Sequence, residues 1–180
     1  MTFIKKEEEI SAIRSAGKIL ARVLQELKER AKEGITTFEL DRIAEQKIRE
    51  LGGEPVFLGY QPAGASRPFP ATLCTSLNDV VVHGVPAKRH LREGDLLKID
   101  LGVRYKGYIA DAACSIGIGA IAPQTVSLIS ATAMALQQGI RAVRAGNRLG
   151  DIGAAVDEVV RRAGFKVVNG LTGHGVGKEL

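Results

Sequence analysis

The stretch Leu96–Gly119, LLKIDLGVRYKGYIADAACSIGIG, decides how the chain is read. Two runs rich in Ile, Val, Leu and Tyr flank Tyr105-Lys106-Gly107, which predicts a β-hairpin turning at or next to that glycine. Asp100 lies on one arm and Asp111 on the other, although Asp is disfavoured in strand interiors. If Tyr105-Lys106 is the loop, position 100 faces 111. If Lys106-Gly107 is the loop, position 100 faces 113 and 111 becomes its diagonal neighbour. Side chains alternate with period two in either register, so both carboxylates fall on one face. Like charges so close destabilise a sheet and cannot both ionise cheaply, and a bound cation removes that penalty. The alternative is a pair of solvated residues at a strand edge.

Composition limits the classes open to the chain. Its 180 residues, 45% hydrophobic, are enough for one sizeable core. The net charge of +5 permits loose association with a polyanion such as the ribosome surface, but no Lys/Arg run is interleaved with aromatics as in a dedicated nucleic-acid domain. Two cysteines, Cys74 and Cys114, suit a reducing cytoplasm better than a disulfide-stapled exterior. The charged start MTFIKKEEEI lacks the apolar core of a signal peptide, and no run of 18 apolar residues predicts a membrane span.

Outward from the hairpin, the periodicity predicts a helix over 7–32 with Ile10, Ile13, Gly17, Leu20, Leu24 and Leu27 on its buried stripe. Thr36-x-x-Glu39 marks a capping box for a second helix that buries Leu40, Ile43, Ala44, Ile48 and Leu51 and stops at Gly52-Gly53. A short strand is expected over 56–60, a loop over the Pro/Gly-rich 61–70, and a strand–bend–strand over 71–85 with the bend at Asn78-Asp79. After the hairpin come a helix from Pro123 to about Ala145, with Val126, Ile129, Ala133, Leu136, Ile140 and Val143 on one side, a helix over 149–163, and a strand over 165–168. The chain closes on the Gly-rich GLTGHGVGKEL.

A shift of 112 residues lays the second half over the first. Gly34 falls on Gly146, Leu40 on Ile152, Ala44 on Val156, Ile48 on Val160, and Gly52 on Gly164. Each copy then reaches the same tripeptide, His83-Gly84-Val85 and His174-Gly175-Val176. Matched glycine stops and matched tripeptides favour a duplication, with repeat one over about 7–119 and an incomplete repeat two over about 123–180 of a single domain. By this logic the chain ends just before a second set of strands, where a further pair of acidic ligands is expected.

Two close carboxylates and an imidazole form a hard donor set that suits divalent Mn, Fe, Co or Zn. Two such ions roughly 3.5–4 Å apart could share a hydroxide that attacks an amide carbonyl. Three donors are too few for two ions, so this first shell is incomplete. A histidine at the end of an apolar strand, like His83, is more often structural, and the same caution holds for His174, whose Gly-His-Gly setting leaves its ring unobstructed. His90 is most simply a solvated loop residue.

The segments SLNDVVVHGVP, GDLLKIDLGVRYKGYIADAA and GHGVGKEL, in this order, closely resemble the type I methionine aminopeptidases of bacteria, over about residues 3–180. The resemblance implies the α/β pita-bread fold, whose two related halves account for the repeat. It implies two divalent metal ions, with Asp100 chelating one, Asp111 bridging both and His174 on the other. His83 is implied to contact substrate near the scissile bond and to stabilise the tetrahedral intermediate, and Tyr60 and Cys74 to lie near the pocket for the Met side chain. The implied reaction removes the initiator Met from nascent peptides with a small second residue, in the cytoplasm. Three departures stand out. A second His and two Glu ligands of the family fall beyond position 180, the 61–70 loop is longer than usual, and Gln61 stands where many members carry His.

The first reading is therefore a dinuclear metalloaminopeptidase whose metal site needs completion, by a homodimer partner or a complementing C-terminal half. The alternative is a non-catalytic pita-bread protein that binds ribosome, nucleic acid or protein. The adjacent Asp100 and Asp111 speak for the first. Prolidase and aminopeptidase P, of the same fold, are disfavoured by the short N-terminus.

Overall fold

The structure, a computed structural model, describes residues 4–180. Helix α1 is Glu7–Arg30. Glu7, Glu8 and Glu9 put negative charge at its positive end, and Glu9 Oε2 accepts the Lys6 N–H at 2.7 Å. Its buried residues are Ala12, Ala16, Ile19, Leu20, Val23 and Leu27. The stripe is thus rotated from the expected one, leaving Ile10, Ile13, Gly17 and Leu24 only half-buried. The reason is close packing, since small Ala12 and Ala16 let the helix settle onto the sheet.

Helix α2, Thr37–Glu50, carries the expected capping box. Thr36 Oγ1 accepts from the Glu39 N–H at 3.1 Å, and Glu39 accepts the Thr36 N–H at 2.8 Å. Leu40, Ala44 and Ile48 are fully buried. The helix ends at Gly52, whose φ of +77° is the left-handed conformation glycine adopts cheaply.

The strands are β1 (Glu54–Pro55), β2 (Cys74–Leu77), β3 (Leu96–Tyr105) and β4 (Tyr108–Gly117). All pairings are antiparallel: β3 is central, with β1 and β2 sharing one edge and β4 on the other. Residues 56–60, expected as strand, turn instead, with the Tyr60 N–H donating to Phe57 O and Gly59 at φ +80°. The expected strand over 80–85 is also absent. Asn78 turns the chain at φ +51°, Val80, Val81, Val82 and Val85 stay exposed, and the segment meets β2 through Gly84, whose carbonyl accepts the Thr75 N–H.

Helices α1 and α2 cover one face of the sheet, enclosing Leu97, Ile99, Leu101 and Val103 of β3 with Ala110, Ala112, Cys114 and Ile116 of β4. Burying such side chains stabilises by roughly 1.5–3 kcal/mol each. The chain through Ala120, joined by His174–Leu180, forms one compact unit, and Ile121–Gly173 forms a second.

The second unit holds α3 (Pro123–Ala142) and α4 (Leu149–Arg162). The apolar side expected on α3 is left exposed at Val126, Leu136, Ile140 and Val143, and the buried positions of α3 are Ala131, Ala135 and Gly139. The helices meet through small residues, and a Cβ on Gly139 would come within 3.1 Å of Val156. The strand expected over 165–168 does not form. The bends nevertheless repeat 112 residues apart, with φ of +91° and +93° at Gly34 and Gly146, and +77° and +80° at Gly52 and Gly164.

Candidate metal centre

The hairpin turns at Lys106-Gly107, where both residues have positive φ, as a tight two-residue turn requires. Tyr105 therefore pairs with Tyr108, Asp100 with Ala113, and Asp111 with Gly102. This is the diagonal register. Leu97, Ile99, Leu101 and Val103 point to the helices, so Asp100 and Asp111 both point to the other face. Cys74 of β2 is directly opposite Asp100, which puts its thiol on that face too.

A small apolar cluster of Val56, Phe57, Cys74 and Ile109, with Phe69, Val176 and Leu180 against it, lines this face. Gly102 makes room for it, since a Cβ there would lie 3.2 Å from the Phe57 ring. Phe57 and Phe69 meet edge to face at 6.4 Å between centroids. Cys74 is buried in the cluster, whereas Tyr60 stands at its exposed margin, where its carbonyl accepts the Phe69 N–H. Gln61, in the position of the expected His, donates from Nε2 to Ala65 O at 2.8 Å and closes the turn of the 61–70 loop.

The segment His174–Leu180 returns to this face. The Ile109 N–H donates to Gly177 O at 2.8 Å, and His174 Nε2 comes to 3.4 Å from Asp111 Oδ2. The other oxygen, Asp111 Oδ1, is buried and bonds to nothing in the protein. Burial raises Asp100 to about 6, helped by the charge of Asp111 and a hydrogen bond between the two carboxyls, and opposed by His174. Burial likewise raises Asp111, against the pull of His174. Burial, then the charges of Asp100 and Asp111, push the Cys74 thiol up to about 12, so it stays protonated.

An orphaned carboxylate oxygen beside a second carboxyl and an imidazole fits a hard divalent cation, which would satisfy the oxygen and relieve the repulsion. Among the described residues, no three His, Cys, Asp or Glu side chains form a ready-made cage. Asp100, Asp111 and His174 are therefore a partial donor set.

His83 has an exposed ring and a φ of +58°, a conformation that costs a non-glycine residue energy and marks functional positions. Gly84 imposes it. Its carbonyl accepts the Thr75 N–H at 2.7 Å, its N–H donates to Ser76 Oγ at 3.1 Å, and a Cβ would fall 2.2 Å from Thr75 O. The His83 N–H in turn donates to the Cys74 sulfur. His90 is exposed as expected, but its Nδ1 lies 2.6 Å from Gly34 O, so it ties two loops together.

Sequence reasoning missed Asp41. It is buried on α2 and accepts the N–H groups of Thr72 and Leu73 at 2.8 and 3.1 Å, fixing the chain that leads into β2 and Cys74. Its neighbour Leu40 lies on the buried stripe, and an acid beside such a position was the available signal.

The sequence of residues 11–180 matches the model of metallopeptidase family M24. The chain belongs to that family. It is 41% identical over 181 residues to a methionine aminopeptidase of Clostridium acetobutylicum, covering the whole of this chain and 70% of that protein. A methionine aminopeptidase of Clostridium perfringens is 42% identical over 180 residues, again with 70% of its length covered. The crystal structure of methionine aminopeptidase from Rickettsia prowazekii superposes with a TM-score of 0.92 at 34% identity, over 99% of this chain and 69% of that one. The pita-bread α/β fold and the metal-dependent peptidase class both follow for this M24 chain. Among the described residues, no helix is long and apolar enough to cross a membrane.

Proposed function

We propose that the chain removes the initiator Met from peptides with a small second residue, using divalent metal held in part by Asp100, Asp111 and His174, with activity depending on completion of that partial donor set. The observation that carries the reading is the orphaned Asp111 Oδ1 between the raised Asp100 carboxyl and the His174 ring. Divalent metal, when bound, supplies Lewis acidity to a water and to the scissile carbonyl. Asp111, with one oxygen toward His174 and the other unpartnered, would be the bridging ligand of a two-ion site, and Asp100 the chelating one. Asp100, raised to about 6, would hold the cation in its ionised form.

The apolar cluster of Phe57, Phe69, Cys74 and Ile109 beside the acids suits an unbranched thioether side chain, with Tyr60 at its rim. Cys74, buried in this cluster with its thiol pushed up to about 12 in the metal-free chain, would form part of the pocket wall. The exposed His83 ring, next to the Gly84 anchor on β2, would donate to charge developing on the substrate carbonyl. A ribosomal encounter agrees with the net charge of +5. The test is Met release from a Met-Ala-Ser peptide with Mn or Co added. Metal-dependent release by the chain, absent from Asp100→Asn, supports the proposal. Release that Asp100→Asn retains overturns the assignment of the site.

A further inference from the structure

His174 comes from a segment without regular secondary structure, so something else must set its distance from Asp111. Two contacts converge on Tyr108, the first residue of β4 and three positions before Asp111, and a third on its neighbour Ile109. Its hydroxyl donates to Glu9 Oε1 at 2.7 Å, while the other oxygen of Glu9 caps α1 through the Lys6 N–H. Its ring lies under the Lys178 ammonium, 5.7 Å from the centroid. The next residue, Ile109, donates its N–H to Gly177 O. Lys178 also attracts Glu9, so an acid, a phenol and an ammonium from three distant parts of the sequence form one chain of contacts. Hydrogen bonds to a carboxylate are worth about twice a neutral one, and a donor held by both helix and strand is less free to rotate.

We propose that Tyr108 is a positioning residue for His174. Glu9 fixes its hydroxyl, its ring carries Lys178, and together they hold the segment that brings His174 to Asp111. The inference rests on the metal-site reading for its consequence but not for the anchoring itself, and the test separates the two. Tyr108→Phe keeps the ring and removes only the hydroxyl; Lys178→Met removes only the ammonium. Hydrogen exchange of the metal-free chain should show the Ile109 amide exchanging several-fold faster in both variants. Cobalt titration, followed by absorbance, should show roughly tenfold weaker binding for Tyr108→Phe, as for loss of an outer partner of a ligand. The same substitution made in His174→Ala should add no further loss.

Wild-type exchange at Ile109 in both variants overturns the anchoring. An equal loss of affinity with and without His174 overturns the positioning role, because a general structural defect does not depend on that ring. A wild-type chain that takes up no cobalt contradicts the metal reading, and the exchange arm still decides the anchoring.

Discussion

Helices α1–α2 and α3–α4 share a sequence plan and differ in what the plan achieves. Both pairs bend at glycines with nearly the same left-handed φ, and both second helices have an acid at the third position bonded back to the N-cap N–H, Glu39 to Thr36 and Asp151 to Arg148. In the first pair Leu20, Leu27, Leu40 and Ile48 are buried against the sheet. In the second, Leu136, Ile140 and Val143 are more than half exposed. Local sequence thus sets where a helix starts, stops and turns. Whether its apolar side becomes core depends on the surface it meets.

The largest expected effect tests that contrast directly. Leu20→Ala should cost roughly 2–5 kcal/mol in urea unfolding, because it empties a packed site. Leu136→Ala, at a position 59% exposed, should change stability by no more than about 0.5 kcal/mol. Equal costs would break the comparison.

A second test uses pH, since the buried acid pair lies in the first unit. Asp100 has its carboxyl raised to about 6 in the folded chain, so the folded state binds protons more tightly than the unfolded one. The contribution of Asp100 to metal-free stability, read as wild type minus Asp100→Asn because Glu9, Glu39 and Asp95 act in the opposite sense, should therefore be highest below the unfolded value near 4, fall as pH rises towards 6, and level off above it. The fall is at most about 3 kcal/mol before solvent screening is allowed for. Thermal melts of both chains across that range give this difference. A difference that does not fall with pH would contradict the assignment.

The smallest effect compares the caps. Thr36→Ala removes a side-chain acceptor and should cost about 1 kcal/mol. Arg148→Ala should be close to neutral, because the Arg148 side chain accepts no cap bond and Asp151 bonds its backbone N–H. Chemical denaturation of the two variants side by side sharpens how far the second pair copies the first.

What was legible follows the same division. The capping box at Thr36, the stop at Gly52 and the β-hairpin are local, and the residues that make them lie close in sequence. The register was legible to two alternatives, and the turn at Lys106-Gly107 chose between them. The run Val80–Val85 has strong strand composition at its valines yet forms no strand, and His83 at φ +58° breaks the extended run beside Gly84. The apolar side read on α3 is present, but the helix contact runs through Ala131, Ala135 and Gly139 and leaves Leu136, Ile140 and Val143 exposed. In the site, the placing of Asp100 and Asp111 on one face was readable from alternation alone. Asp41, Tyr108 and Glu9 were not, since each acts across 31 to 99 residues of sequence that carry no periodic signal.

The central claim is that the face of the hairpin turned away from the helices, closed by the His174 segment, holds a divalent cation through Asp111. Isothermal titration of the chain with Mn at near-neutral pH, beside Asp111→Asn, tests it most directly. The account predicts saturable binding that releases protons in the wild type and is lost in the variant. Equal binding in both, or no binding in the wild type, would contradict it.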